Sequence, residues 1–479
     1  MEEYIKMLLE QVRFQKAHKA IGDEIRSHIE DQVQANISEG MDEVTAEKKA
    51  VEDMGDPVDV GIELDKVHRP KMAWGVVIVA LVIAVIGTLV QVLVVNDPLI
   101  KTRYGNIPFW AALYGCDPSL PVYIVFTVLG SIAMLLMYLI DYTTVAKYSK
   151  VIAISLISLF FVTNYYNNML LISSYEGSMN GKPLLGMLVL TDWILFFINS
   201  LMLLIIPLYA GILYKYKGQK YVALVKAVLW IVISCGLMCR CWEKTSGVIF
   251  MIAMLVELTI AIKKGWIKVH KIPAITVVWS SFVLFIGKFI FDQRKLLGDK
   301  ILNLSEGNGE SYQISTVNAN VEILRRYLGA VRLFGNGLKR SVGEGMSAPV
   351  SFSINDPGSS MVLPYVLTTY GIVAGLVIIV AVASVVVYGF VTMAKTKNQL
   401  GIVMGSGCMM WLIVNLLANI FVGLGMFPQF ETTFFPFISN KYLIVSYMMF
   451  GILLSIYKYK NAYSEHVDIS LRANLKKTK

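Results

Sequence analysis

About ten apolar runs joined mostly by short polar loops fill the chain from residue 73 onward, and that pattern leaves few folds open. The runs cover residues 73–95, 121–141, 147–165, 188–214, 222–238, 246–262, 272–291, 361–389, 400–424 and 441–457. A helix needs about 20 apolar residues to cross the hydrocarbon core of a bilayer. The sequence therefore predicts an all-α, polytopic membrane protein. Its composition agrees, with 56% hydrophobic and 16% charged residues in 479, far from a soluble protein of that length. The runs at 222–238 and 246–262 are short for a full crossing and suggest a helix pair that crosses only in part. The first 70 residues are charged and amphipathic, so no cleavable signal peptide is expected.

The net charge of +9 conceals an asymmetry, because residues 1–72 carry −7 and the remainder +16. Lys147 and Lys150, then Lys215, Lys217 and Lys220, then Lys263, Lys264, Lys268 and Lys271, then Lys395 and Lys397 fall in alternate loops. Lysine and arginine gather in cytoplasmic loops. Ten spans with both termini inside therefore form a self-consistent layout, and the basic tail at 459–479 lies on the same side. A basic excess facing anionic lipid accounts for the charge. No basic groove interleaved with aromatics points to nucleic acid.

Residues 1–70 read as a small cytoplasmic helical domain. A first helix over about Glu2–Ala17 carries Ile5, Leu8, Leu9 and Val12 at helical spacing. A second carries Ile21, Ile25, Ile29 and Val33 and fades at Gly40. Asp42 suits the N-cap of a third that stops at Gly55, and Asp56-Pro57 opens a fourth, since proline is tolerated in a first helical turn. Glu24, His28 and Asp31 share a helix face, where a solvated charged face is the expected role and a metal site the alternative.

One polar stretch is long, residues 292–360, and a water-facing loop of that length on a rigid scaffold is where function concentrates. The layout places it on the outer face. Arg325, Arg326, Arg332, Lys339 and Arg340 cluster there around the tight turn Phe334-Gly335-Asn336-Gly337-Leu338. Basic side chains with glycine amides suit a phosphate or pyrophosphate. Among the loop acids, Glu344 and Asp356 lie nearest the turn and the next apolar run, as a general base would have to. Asp192, Lys226, Glu257 and Lys288 sit inside apolar runs. Such charges tend to face a bundle interior or a water-filled cavity. Lys226 and Glu257, on neighbouring runs, read either as a structural ion pair or as the wall of a cavity, and Lys288 as snorkelling. The five cysteines (Cys116, Cys235, Cys239, Cys241 and Cys408) lack metal-site spacing.

Several motifs together resemble the FtsW/RodA/SpoVE (SEDS) family. Asn419 to Lys458 is similar to its last spans, with Asn419, Gly425, Pro428, Pro436, Phe437, Ile438, Ser439, Gly451 and Ser455 in matching places. Tyr312-Gln313-Ile314 and the Phe-Gly-x-Gly-Leu at 334–338 resemble signatures of its large outer loop, and Tyr365 and Tyr370-Gly371 fit the span that follows. The stretch from Glu24 to Pro57 resembles the prefix domain found ahead of permease-type and FtsW-like membrane proteins. The resemblance implies a SEDS-like transmembrane domain at 73–458 in the bacterial plasma membrane.

By that resemblance the chain belongs to peptidoglycan assembly in division, elongation or sporulation. It implies polymerisation of lipid II, an undecaprenyl-linked precursor, beside a class B penicillin-binding protein. The family's catalytic aspartate falls on Ser360 in the most natural register, and a four-residue shift brings Asp356 there as the base. Gln313, Arg332, Gly335, Gly337, Lys339, Arg340, Ser360, Pro436 and Ser439 would bind substrate. The resemblance asks for no cofactor beyond a divalent cation such as Mg2+. Two other readings stay open: a non-catalytic relative acting as scaffold or lipid II binder, and a transporter or lipid flippase built on Asp192, Lys226 and Glu257.

Overall fold

A computed structural model describes residues 1–70, 74–96, 120–179, 197–241, 244–304, 329, 331–335, 362–424, 435–438 and 442–463. These residues are helical apart from turns and connections. Among the described residues, eight helices are long and apolar enough to cross a membrane, and two further apolar helices are shorter. The fold is a polytopic helical bundle.

The N-terminal helices are α1 (Glu2–Glu10), α2 (His18–Ser38), α3 (Glu43–Asp53) and α4 (Pro57–His68). Ile5, Leu8, Val12, Ile21, Ile25, Ile29 and Ala50 form a core separate from that of the bundle. Asp42 caps α3 by accepting from Thr45 N, and Asp56 caps α4 by accepting from Val58 N and Asp59 N, with Pro57 in its first turn. The expected first helix is shorter than its periodicity suggests, because α1 ends at Glu10. Tertiary contacts take over there. The Arg13 backbone and guanidinium donate to Asp65 on α4, at 3.0 Å from N and 2.6 Å from Nη2. Glu24, His28 and Asp31 are all exposed.

The bundle comprises α5 (Trp74–Val95), α6 (Leu120–Leu139), α7 (Tyr142–Met179), α8 (Ile205–Lys215), α9 (Tyr221–Cys241), α10 (Lys244–Lys263), α11 (Lys271–Leu304), α12 (Val362–Tyr370), α13 (Ile372–Ala394), α14 (Gln399–Gly423) and α15 (Leu443–Lys458). Helix α8 is the centre, buried from Ile205 to Tyr214 and packed on α7, α10 and α14. Small residues set the closest approaches, as is usual between helices in lipid. A Cβ on Gly451 of α15 would lie 2.5 Å from the Met134 carbonyl of α6, and one on Gly130 of α6 would lie 2.6 Å from the Tyr447 ring of α15.

Three expectations change. Helices α9 and α10 are 21 and 20 residues long, enough for full crossings, because each continues past the last strongly apolar residue. Residues 292–304, expected to open the polar loop, continue α11, since hydropathy marks where a span leaves the apolar layer and not where its helix ends. The single run at 361–389 is two helices, broken at Gly371, whose φ is +97°.

One end of the bundle gathers the lysine-bearing loops. Lys215 Nζ donates to the Lys147 carbonyl at 2.7 Å, Gly218 N to the Trp266 carbonyl at 2.8 Å and Trp266 Nε1 to Gln399 Oε1 at 2.7 Å. The N-terminal helices meet this same end, where Lys16 Nζ lies 2.6 Å from Asp141 Oδ2.

Candidate functional site

At the opposite end, the segment 331–335 is clipped onto the break between α12 and α13. Ile372 N donates to the Arg332 carbonyl at 2.9 Å, Val373 N to the Leu333 carbonyl at 3.3 Å and Gly335 N to the Tyr370 carbonyl at 3.0 Å. The Tyr370 hydroxyl donates to the Leu93 carbonyl of α5 at 3.2 Å. Both glycines are required by proximity. A Cβ at Gly371 would sit 2.6 Å from the Leu333 carbonyl, and one at Gly335 would sit 2.8 Å from the Thr369 carbonyl. Arg332 is exposed, and beside it Leu333 and Phe334 are 65% and 73% exposed. The rim at this point joins a cation to large apolar side chains.

Helix α12 folds back along α13, for a Cβ at Gly375 would meet Leu363 Cδ1 at 3.8 Å, twelve residues earlier in the chain. Val362, the first residue of α12, is therefore buried in a small core with Val90, Ile378, Leu416, Phe435 and Ile438. The 435–438 turn is held from two helices. Gln91 Nε2 of α5 donates to the Ile438 carbonyl at 3.0 Å, and the Tyr123 hydroxyl of α6 donates to the Phe437 carbonyl at 3.0 Å. Phe437 adopts φ +64°, uncommon for a bulky side chain, and packs edge-on to Tyr447 and Phe450. Pro436 is buried in the same turn.

Of the residues singled out from the sequence, the structure therefore brings Gly335 and Arg332 to the α12–α13 break and Pro436 to the neighbouring turn. The Gly335 amide is engaged with Tyr370, which makes it a fixing point of the turn. Gln313, Gly337, Lys339, Arg340, Glu344, Asp356, Ser360 and Ser439 lie outside the described residues, as does Asp192. Ser360 precedes Val362 by two residues in the chain, and that start of α12 is fixed.

Inside the bundle, Lys226 and Glu257 are not an ion pair. Lys226 is exposed on the outer face of α9 alongside Val222, Val225 and Leu229, with its Nζ 5.9 Å from the Tyr216 ring centroid. Glu257 is 0% exposed, and neither carboxyl oxygen has a hydrogen-bond partner among the described residues. The helical register turns the two away from each other. Lys288 is exposed on α11. Asn199 accepts from Asn164 Nδ2 at 3.3 Å, so the bundle also holds a neutral amide contact between α7 and the segment leading into α8. No group of three or more His, Cys, Asp or Glu is placed to hold a metal among the described residues. Cys235 and Cys408 are free thiols.

Sequence reasoning passed over Gln91, Tyr123 and the Asp141–Tyr463 contact. A lone glutamine within LVQVLVV was the available signal, since an amide in hydrocarbon must find a partner. Tyr123 and Tyr463 carried no signal, because tyrosines are common at span ends.

No family model matches the chain, and no curated protein matches it. Among solved structures it is similar to a chain of a peptidoglycan synthase complex described as coordinating polymerization and crosslinking. The TM-score is 0.51 at 12% identity, over 81% of this chain and 98% of that one. Two structures of the Rod shape determining protein RodA of Thermus thermophilus, one of them a point variant, match at TM-score 0.46 and 12% identity. They cover 81% of this chain and 97–98% of theirs.

Proposed function

We propose that this chain is a SEDS-fold membrane protein of peptidoglycan assembly that acts on lipid II at the end of the bundle bearing the 331–335 clip. The observation that carries this reading is the fold shared with the peptidoglycan synthase chain over nearly all of that chain's length. The clip and the 435–438 turn support it, because they coincide with the motifs that carry the family resemblance. In this reading the N-terminal helices and both termini are cytoplasmic, and the clipped end faces outward. The exposed Arg332, Leu333 and Phe334 suit a lipid-linked anion, with the guanidinium toward pyrophosphate and the apolar pair toward the lipid.

The reaction is glycosyl transfer. An acceptor sugar hydroxyl attacks the anomeric carbon of the donor sugar, forming one C–O bond as the bond to the pyrophosphate breaks. The hydroxyl proton passes to the Asp356 carboxylate, and the lipid pyrophosphate leaves with its electron pair. Lys339 and Arg340, with Arg332, stabilise the charge that develops on it. Gln313, Gly337, Ser360 and Ser439 would line the sugar and phosphate path, and Pro436 shapes its floor. The partner would be a class B penicillin-binding protein, which crosslinks the strand. Photo-crosslinking tests the location. A photoreactive residue in place of Leu333 should capture lipid II, whereas one in place of Val44, exposed at the other end, should not. Equal capture at both positions would refute this placement.

A further inference from the structure

We infer that docking of the N-terminal helices onto Asp141 controls the packing of the 435–438 turn at the far end of the bundle, through the paired helices α6 and α15. Asp141 sits at the corner between α6 and α7 and is 7% exposed. Its Oδ1 accepts from Thr143 N and Thr143 Oγ1, both at 2.9 Å. Its Oδ2 accepts from Lys16 Nζ at 2.6 Å and from the Tyr463 hydroxyl. Among the described residues, Lys16 is the cation that reaches this carboxylate, and it belongs to the N-terminal helices. Phe14 completes the contact, stacked on Tyr459 at 5.5 Å and edge-on to Tyr463 at 5.8 Å.

Among the described residues, removing Lys16 leaves the buried carboxylate with hydroxyls and an amide as its partners. That arrangement is unfavourable until the corner opens to water. The corner cannot open alone, because Ser455 Oγ of α15 donates to the Ile140 carbonyl at 2.7 Å and accepts from Tyr142 N at 3.2 Å. From there α6 and α15 run together, locked by the close approaches at Gly130 and Gly451. At the far end α6 supplies Tyr123 to the Phe437 carbonyl, while α15 presents Tyr447 and Phe450 to the Phe437 ring. Two of the three helices that hold the turn, α6 and α15, are thus gripped at their other ends by one docking contact, while α5 holds it through Gln91. The N-terminal helices have their own core, so they stay folded when released. The chain from His68 to Trp74 reaches about 20 Å at most, which makes release a pivot and not a departure.

Hydrogen exchange on the full chain in lipid nanodiscs tests this whatever reaction the far end performs. In Phe14→Ala/Lys16→Ala, amides at 140–146 and 459–463 should exchange faster. Ile438 and Ser446 should follow by roughly fivefold or more, the lower end of ordinary coupling between sites. Amides of α2 should stay protected. If α2 loses protection as well, Lys16→Ala alone, which removes a half-exposed side chain, makes the same comparison. Lys16→Arg should retain the wild-type pattern, and Arg26→Ala, which breaks an exposed contact to Glu2 within the N-terminal helices, should leave Ile438 unchanged. Faster exchange at 459–463 with Ile438 and Ser446 unmoved would overturn the inference. So would the same far-end change in Arg26→Ala.

Discussion

Gly335 donates its amide to the Tyr370 carbonyl at 3.0 Å, and that bond fixes a segment 35 residues back in the chain onto a break between two helices. The break exists because Gly371 adopts φ +97° with the Leu333 carbonyl where a side chain would go. Gly371→Ala therefore combines backbone strain with a steric clash, each of order 1–3 kcal/mol. The expected result is a fall in melting temperature together with faster proteolysis near residue 335. A variant that melts like the wild type would show that the clip is not held at Gly371.

Glu257 fills the space a side chain would need at Gly407, and a Cβ there would collide with its carboxyl group. Gly407→Ala should destabilise the bundle by about 1–3 kcal/mol, and adding Glu257→Ala should recover part of that loss. Strictly additive effects in a double-mutant cycle would contradict the contact.

Glu257→Met alone should be neutral or stabilising. It replaces a buried carboxyl without a hydrogen-bond partner among the described residues by an apolar side chain of similar volume. Thermal denaturation in detergent reads this. A loss of several kcal/mol would mean that the carboxyl makes an essential contact.

The Tyr123 hydroxyl and the Gln91 amide hold adjacent carbonyls of one turn. Tyr123→Phe and Gln91→Leu should each cost about 1 kcal/mol, typical of hydrogen bonds within membrane bundles. The pair should cost less than their sum, since losing one bond already loosens the turn. Equilibrium unfolding of the three variants measures this.

The N-terminal helices should weaken in acid. A hydrogen bond from Arg13 holds the Asp65 carboxyl below its ordinary value, and burial opposes this only in part. A carboxylate whose folded pKa is depressed adds stability above its unfolded pKa, about 3.9, and loses it as pH falls through the folded value. Exchange at α4 should therefore quicken below about pH 4 in the wild type. In Arg13→Ala that acid-dependent step should shrink. An unchanged step would remove Asp65 as its cause.

Much of this fold was legible from hydropathy alone, because a lipid solvent makes every span announce itself. The described parts of the ten apolar runs are helical, and the α3 and α4 caps fell at Asp42 and Asp56. What failed did so for local reasons. Helix α1 stops early because Arg13 and Phe14 have partners far away in sequence, and the 361–389 run hides a break that only a positive φ reveals. Lys226 and Glu257 are close in span order yet face different ways, which charge alone does not disclose. Gly335 and Pro436 were flagged as motif residues, while the groups that hold their segments, the Tyr370 carbonyl and the Gln91 and Tyr123 side chains, were not flagged for that role.

The most direct test of the proposed function is polymerisation of lipid II by the purified full-length chain with the class B penicillin-binding protein proposed as its partner, comparing wild type with Asp356→Ala. A positioned general base contributes roughly 10²–10⁴-fold. The account predicts glycan strands from the wild type and a loss of that order in the variant, with the partner still bound. Polymer from Asp356→Ala at the wild-type rate would contradict the assignment of the base. No polymer from either protein, with the partner still co-purifying, would contradict the enzymatic reading and leave a scaffold.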